Sequence, residues 1–428
     1  MAGQHRVVII GGGFGGLSAA LKLRRAPVQV TLIDRCNYHL FQPLLYQVAT
    51  GALSPANIAS PLRNILKKQK NTRVLLAEAT RIDAANRRVI LSDGAVDYDT
   101  LVVSTGASHQ YFGHQEWERF APGLKTVEDA TDMRRRILLA FEAAEREEDP
   151  EKLRAWMTFV IVGGCPTGAE LAGALGEIAN DTLRRDFRAI DPSKARIILV
   201  EGADRVLPVY PPQLSAAARK MLERLGVTVR TGALVTDIQK ESVTVREGDR
   251  TETIPTRTVL WAAGVLGSPL GSALSTDAGA PLDKAGRVVV EPDLTVPGRP
   301  EIFIIGDLAN YSHQTGSPLP GVAQPAIQEG RYVAQVIERR LRGEKTPPFR
   351  YHDKGNLATI GRGAAVADLN WLRLSGLPAW LMWIFIHVMN IIEFQNRLLV
   401  MVQWAWFYFT YDRSARLITG KNPLPLDL

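Results

Sequence analysis

Short, unbroken apolar runs that end in small residues punctuate this chain, and two of these junctions organise it. The first runs Val7 Val8 Ile9 Ile10, then Gly11 Gly12 Gly13 Phe14 Gly15 Gly16, then Leu17 Ser18 Ala19 Ala20. The second runs Phe159 Val160 Ile161 Val162, then Gly163 Gly164 Cys165 Pro166 Thr167 Gly168, then Ala169 Glu170 Leu171 Ala172 Gly173. An apolar run of strand length predicts a strand buried on both faces, as in a parallel sheet. Glycines at this spacing between strand and helix predict a turn that brings backbone N–H groups and a helix N-terminus up to a pyrophosphate. Two such turns predict two dinucleotides.

The strands that follow carry the next signals. Val28–Asp34 ends on an acid 18 residues past Gly16, close to the spacing of about 20 at which a strand-tip carboxylate accepts a ribose hydroxyl. Arg196–Glu201 ends on a second acid, 33 residues past Gly168, with Asp191 and Pro192 marking an intervening loop. Glu201 would accept from free ribose hydroxyls and repel a 2′-phosphate, which favours NADH over NADPH, although Arg205 close by weakens that preference. Leu101–Ala107, Thr258–Gly264 and Ile302–Asp307 are further apolar runs ending in small or acidic residues. Their order predicts an α/β fold with two Rossmann-like dinucleotide-binding domains, one inserted in the other, plus a C-terminal membrane-associating helical region. The expected limits are 1–112 with 276–342 for the first domain, 113–275 for the second and 343–428 for the C-terminal region.

That last region is apolar from Leu377 to Ile392, charged from Glu393 to Arg397, and apolar again from Leu398 to Thr410. Each run is shorter than the roughly 20 residues that cross a bilayer. Two segments lying in the interface fit better, with Trp380, Trp383, Trp404, Trp406, Tyr408 and Tyr411 as interfacial aromatics and Arg373, Arg397, Arg413 and Arg416 meeting headgroups. A dimer interface or a core-packing helical hairpin accounts for the same residues, so a homodimer stays open. The net charge of +7 and the position of five of the eight tryptophans after residue 370 favour an anionic lipid surface, and no nucleic-acid motif is present. With no secretory signal pattern at the start and only Cys36 and Cys165, the expectation is a peripheral protein on the cytoplasmic face of the membrane, without disulfides or a metal site.

These residues resemble the two-dinucleotide-binding flavoproteins, and within them the type II, non-proton-pumping NADH:quinone oxidoreductases. The narrower resemblance rests on Phe41–Gly51 (FQPLLYQVATG), Ala323–Gln328 (AQPAIQ) and Asp353–Gly355 with Ala358–Arg362. It implies FAD held by Gly11, Gly13, Phe14, Gly15, Gly16, Asp34, Arg35, Gln42, Thr105, Gly106, Asp307 and Ala323. It implies NADH held by Gly163, Gly164, Pro166, Thr167, Gly168, Glu201, Ala263 and Gly264. The same resemblance makes Gln324 and Gln328 the glutamines that flank a membrane quinone, one helical turn apart on one face. An exposed helix would carry two glutamines equally well. Glu170 is implied beside the two cofactors with a part in proton delivery, while a first-turn acid is also expected on helix-dipole grounds. Lys354 is implied at the reduced quinone's oxygen, against the plainer reading of a solvated charge.

Cys165 departs from the pattern, since it stands where the middle glycine lets the backbone approach the pyrophosphate, and its side chain is expected to weaken NADH binding. The two cysteines are not spaced as a redox pair, which argues against a disulfide or sulfide reductase. The expected reaction is hydride transfer from NADH to FAD, followed by two-electron reduction of a membrane quinone. The rivals are a related flavin reductase using sulfide or ferredoxin, and a low-turnover NADH-binding flavoprotein sensor.

Overall fold

The computed structural model describes residues 4–420. Two compact units emerge from the contacts: one gathers residues up to Leu40, Ala59–Ser108 and Val265–Asp353, the other Phe41–Ile58, His109–Gly264 and Lys354 onward. The segment Phe41–Ile58, counted with the first domain on chain order, joins the second unit because its helix Leu45–Ala49 packs on the helices Val127–Arg146 and Pro166–Glu177. Sequence order alone does not reveal such a return.

The first unit is built on a six-stranded sheet in the order Thr295–Val296, Arg299–Ile304, Thr100–Val103, His5–Ile10, Val28–Asp34 and Thr72–Leu76. Its central pairings are parallel, with Val7 opposite Val30 and Thr100, and Ile10 opposite Ile33 and Val103. Val7–Ile10 and Thr100–Val103 are buried along their whole length, as expected where helices cover both faces. The fingerprint helix Phe14–Lys22 packs along Ala323–Leu341. Gly330 permits that approach, because a Cβ there would run into the carbonyl oxygen of Gly15.

The second unit repeats the plan at smaller scale. Its parallel sheet runs Val227–Thr231, Arg196–Glu201, Thr158–Val162 and Thr258–Trp261, and the central strand is buried at every residue. An antiparallel meander, Ala233–Gln239, Ser242–Glu247 and Arg250–Pro255, accompanies it. After Lys354 come a three-stranded antiparallel sheet (Asn356–Gly361, Ala364–Asp368, Arg373–Ser375) and the helices Leu377–Asn390 and Phe394–Thr410. Among the described residues no helix is long and apolar enough to cross a membrane.

Replacing a helical glycine with alanine ordinarily stabilises a protein by up to about 1 kcal/mol. Gly330→Ala should instead destabilise by about 1–3 kcal/mol, since the methyl group must push the helix Ala323–Leu341 away from the helix that follows the first glycine turn. A melting temperature equal to or above that of the parent chain would refute this reading of the contact.

Candidate functional site: two nucleotide cradles and an aromatic chamber

Both glycine turns are wired in the same way, each within its own unit. In the first, Gly11 N–H donates to the Ile33 carbonyl at 2.8 Å, Gly12 N–H to Asp34 Oδ2 at 2.5 Å, and Ser104 N–H to the Ile10 carbonyl at 2.8 Å. In the second, Gly163 N–H donates to the Val200 carbonyl at 2.8 Å, Gly164 N–H to Glu201 Oε2 at 2.5 Å, and Ala262 N–H to the Val162 carbonyl at 2.8 Å. Gly11 and Gly163 adopt φ of +99° and +104°, a region costly for any residue with a Cβ. A Cβ on Gly16 or Gly168 would strike the carbonyl oxygen of Gly11 or Gly163, so each third glycine sets how closely helix and strand meet.

The second carboxylate oxygens, Asp34 Oδ1 and Glu201 Oε1, accept from Cys36 N–H and Ala203 N–H, both at 2.7 Å. Each carboxylate oxygen has two lone pairs, so both acids retain capacity for a ribose hydroxyl. Desolvation raises the Asp34 carboxyl above its ordinary value, and the N–H groups of Cys36 and Gly12 oppose that shift. The 33-residue gap before Glu201 is immaterial in space: Val162 lies opposite Val200 in the parallel ladder, which carries Glu201 to the turn that begins at Gly163. Arg205 is engaged with Asp204 at 3.4 Å and the Pro208 carbonyl at 3.1 Å.

Space for a pyrophosphate is present at the first turn. Gly13 is exposed and a Cβ built on it meets nothing within 4 Å, so the backbone at the helix start lies open to a ligand. Phe14 packs edge-on against His39, whose Nδ1 lies 2.9 Å from the Gly12 carbonyl. In the second turn Cys165 directs its thiol to the Ala262 carbonyl at 3.1 Å, so the side chain is held against the neighbouring strand end. Burial pushes that thiol's pKa up, which keeps it protonated and a donor.

Other sequence-predicted residues fall as follows. Thr105 Oγ1 bonds Ser268 Oγ at 2.5 Å, and Gly106 (φ +68°) has open space where a Cβ would stand. Asp307 is half-buried in the turn Gly306–Leu308, Ala323 begins its helix, and Arg35 is exposed. Pro166 and Thr167 open the second fingerprint helix, and Ala263 and Gly264 follow the strand that ends at Trp261. Gln42 lies in the second unit, in the turn Gln42–Leu44, whereas the other residues expected at FAD lie in the first. Gln324 is half-buried, and its amide makes no hydrogen bond among the described residues. Gln328 is spent on its own unit: its Nε2 donates to the His352 carbonyl and its Oε1 accepts His352 N–H, both at 3.0 Å. Lys354 is exposed.

Sequence reasoning missed Glu329, one residue further on. It is 2 % exposed and accepts Gly306 N–H at 2.5 Å, clamping the turn that presents Asp307. Desolvation pushes its carboxyl up to about 8, with the Asp307 charge adding to the rise and the Gly306 N–H opposing it. An acid standing between two glutamines' helix and an apolar stripe gave no signal of this, because only the folded chain brings Gly306 to it.

In the second unit an aromatic-walled slot with about 60 Å³ of free space is lined by Trp380, Trp383, Trp404, Phe407 and Tyr408, with Tyr46, Gln47, Glu170, Glu177 and Arg413 among its polar residues. Glu170 lies beyond the first turn of its helix, which begins at Pro166, so the dipole account of this acid does not hold. Burial pushes its carboxyl well above the ordinary range, opposed by a hydrogen bond from the Thr359 backbone. Arg413, expected at lipid headgroups, is instead 3 % exposed: it donates to Glu177 at 2.7 Å and to the Thr50 carbonyl at 3.1 Å, under the ring of Phe407. A buried acid attracts a guanidinium more strongly than a hydrated headgroup surface does, because its charge is otherwise unpaired. Glu177 also accepts Arg362 N–H at 2.5 Å.

Two nucleotide-binding modules, each with its own fingerprint and strand-end acid, define a pyridine-nucleotide-dependent flavoprotein fold. The family model of the pyridine nucleotide-disulphide oxidoreductases matches residues 5–330, and that of the NDH2 C-terminal domain matches 353–411. The chain belongs to the type II NADH:quinone oxidoreductases. It is 44 % identical over 427 residues to the enzyme Ndh of Mycobacterium tuberculosis, spanning 98 % of this chain and 91 % of that one. It is 31 % identical over 366 residues to a relative of the same name in Staphylococcus aureus, spanning 84 % and 88 %. Among solved structures, NDH2 from Plasmodium falciparum in complex with NADH shares the fold with a TM-score of 0.87 at 20 % identity, covering 97 % of this chain and all of that one. A sulfide:quinone oxidoreductase from Aquifex aeolicus shares it at 0.73 and 18 % identity, covering 96 % and 92 %.

A buried acid whose pKa is raised on folding favours the native state below its unfolded value, and that contribution is lost as pH climbs toward the folded value. For Glu329 the window runs from about 4.5 to about 8. Glu329→Gln, which keeps an acceptor for Gly306 N–H, should melt near the parent's temperature at pH 5. By pH 8 it should be more stable by on the order of 2–4 kcal/mol. A stability difference that does not change with pH would show that Glu329 is not the titrating group.

Proposed function

We infer that this chain is a membrane-associated flavoenzyme that transfers a hydride from NADH to FAD and two electrons onward to a membrane quinone, without pumping protons. The observation that carries the reading is near-full-length identity of 44 % to a type II NADH:quinone oxidoreductase, joined to two complete nucleotide cradles within one chain. FAD, when bound, supplies the two-electron relay between nicotinamide and quinone.

The chain's own residues bind, orient and exclude. In the first unit Gly13 and the start of the fingerprint helix take the FAD pyrophosphate, Asp34 takes a ribose hydroxyl, and Glu329 holds the Gly306–Asp307 turn in register. In the second, Glu201 takes the NADH ribose and disfavours a 2′-phosphate, with Arg205 occupied elsewhere. Gln324 is the amide with unused hydrogen-bonding capacity for the quinone, and Gln328 supports the chain around His352. Glu170, whose carboxyl burial pushes well above the ordinary range, is suited to hand a proton toward the quinone side. The aromatic slot offers the quinone ring its stacking surface.

Membrane association rests on two exposed apolar stripes. Leu377, Leu381, Phe385 and Met389 recur every four residues on one helix, and Phe394, Leu398, Val402 and Trp406 do so on the next. Phe394 and Phe409 are 78 % and 80 % exposed. Apolar surface of this extent seeks a lipid interface or a partner, and exposed Arg373 with the interfacial aromatics favours anionic lipid. We place this face on the cytoplasmic leaflet.

Anaerobic NADH should bleach the flavin absorbance, and a short-chain quinone should restore it; sulfide bleaching in place of NADH would favour the rival donor. Replacing Phe385, Phe394 and Phe409 with glutamate should release the protein from anionic vesicles in a flotation assay while flavin content is unchanged. Undiminished flotation would exclude these stripes as the lipid-binding face.

A further inference from the structure

Two buried N–H groups on the residues lining the slot in the second unit have no partner. Its polar side chains are largely paired: Gln47 Oε1 accepts the Trp404 indole N–H at 2.7 Å, and Glu177 accepts Arg362 N–H at 2.5 Å and an Arg413 NH2 hydrogen at 2.7 Å. Glu170 accepts from the Thr359 backbone. Two donors on the lining are left over. The Trp383 indole nitrogen and the Arg413 Nε are buried and have no partner, although the other two Arg413 nitrogens are both bonded. Trp383 is 2 % exposed and its ring is fixed between His387, stacked at 4.2 Å between centroids, and Trp404 at 5.3 Å. His387 is neutral, because burial holds it down to about 4, so it places no competing charge beside the indole.

A buried donor without a partner costs about 1–3 kcal/mol, so the lining is tuned to a ligand that brings acceptors. A molecule with an apolar, planar body and acceptor oxygens meets both the aromatic walls and the two unpaired N–H groups; an ammonium, which brings only donors, does not. Resting on the quinone reading of this slot, we propose that the Trp383 indole N–H and the Arg413 Nε–H are the hydrogen-bond donors that recognise the carbonyl oxygens of the quinone and set acceptor specificity. The Arg413 bond is charge-assisted and strengthens as negative charge develops on the oxygen during reduction.

The test uses the FAD-loaded full chain with a short-chain quinone. Trp383→Phe keeps the ring and removes the N–H, and the quinone KM should rise about five- to tenfold, the worth of one hydrogen bond. Reduction of ferricyanide, an acceptor with no carbonyl oxygen, and flavin bleaching by NADH should not follow that change. Arg413→Lys preserves the charge beside Glu177 but has no Nε–H, and it should raise the quinone KM in the same sense. Ala174→Phe fills the slot from the helix that carries Glu170, and Ile384→Trp fills it from the opposite helix should the first variant not retain flavin. If the filled slot abolishes quinone reduction while Trp383→Phe leaves the quinone KM within about twofold, the donor assignment is wrong and the quinone reading of the slot stands. If the filled slot leaves quinone KM unchanged with flavin retained, the quinone reading fails and takes the donor assignment with it.

Discussion

A carboxylate at the tip of a parallel strand, accepting the N–H of the glycine turn on the strand beside it, is the contact on which the rest of this structure depends. Asp34 does this for Gly12 and Glu201 for Gly164, each at 2.5 Å. Each acid also holds a second backbone N–H, of Cys36 or Ala203, so a single side chain fixes the turn on one strand and the chain that leaves its own. Because the wiring recurs, the chain presents two nucleotide sites of one design, and the acid's charge sign makes each suited to an unphosphorylated 2′-hydroxyl.

Burial of charge is the second organising feature. Glu177 and Arg413 are both nearly inaccessible, and burial pushes the carboxyl up and the guanidinium down, while each charge counters the shift in the other. Breaking such a pair from one side costs several kcal/mol because a lone charge is left behind. The pair fastens the chain beyond the Phe394–Thr410 helix to the helix Pro166–Glu177, and Arg362 N–H and the Thr50 carbonyl complete the coordination. The outward sides of the two last helices remain apolar and exposed, so one short stretch of chain serves an interior ion pair and an apolar outer surface at once.

These two features also divide the chemistry. Around the two glycine turns, side chains act on the backbone; Glu329 on the Gly306 N–H is the clearest case, and His39 on the Gly12 carbonyl another. Around the slot it is side chains that form the lining, with aromatic walls and buried N–H groups. Gln328, expected beside the quinone, exchanges two hydrogen bonds with the His352 backbone, and the Gln324 amide makes no hydrogen bond among the described residues.

The order of strand, glycine turn and helix, the acids at the strand tips and the shortness of the C-terminal apolar runs were all legible along the chain, because each is a local pattern with a fixed period or spacing. The sequence by itself therefore determined two strand–turn–helix modules with an acid at each strand tip, and C-terminal apolar runs too short for a membrane-crossing helix. What it left undecided depends on which residues distant in the chain become neighbours. Glu201 reached its turn through strand register despite the long gap, Arg413 went inward because a buried acid was waiting for it, and Phe41–Ile58 left its sequence neighbours to pack in the second unit. Hydrophobic periodicity reports which face of an element is buried, but not against what; partners for buried charges and unpaired donors are chosen only when the fold closes around them.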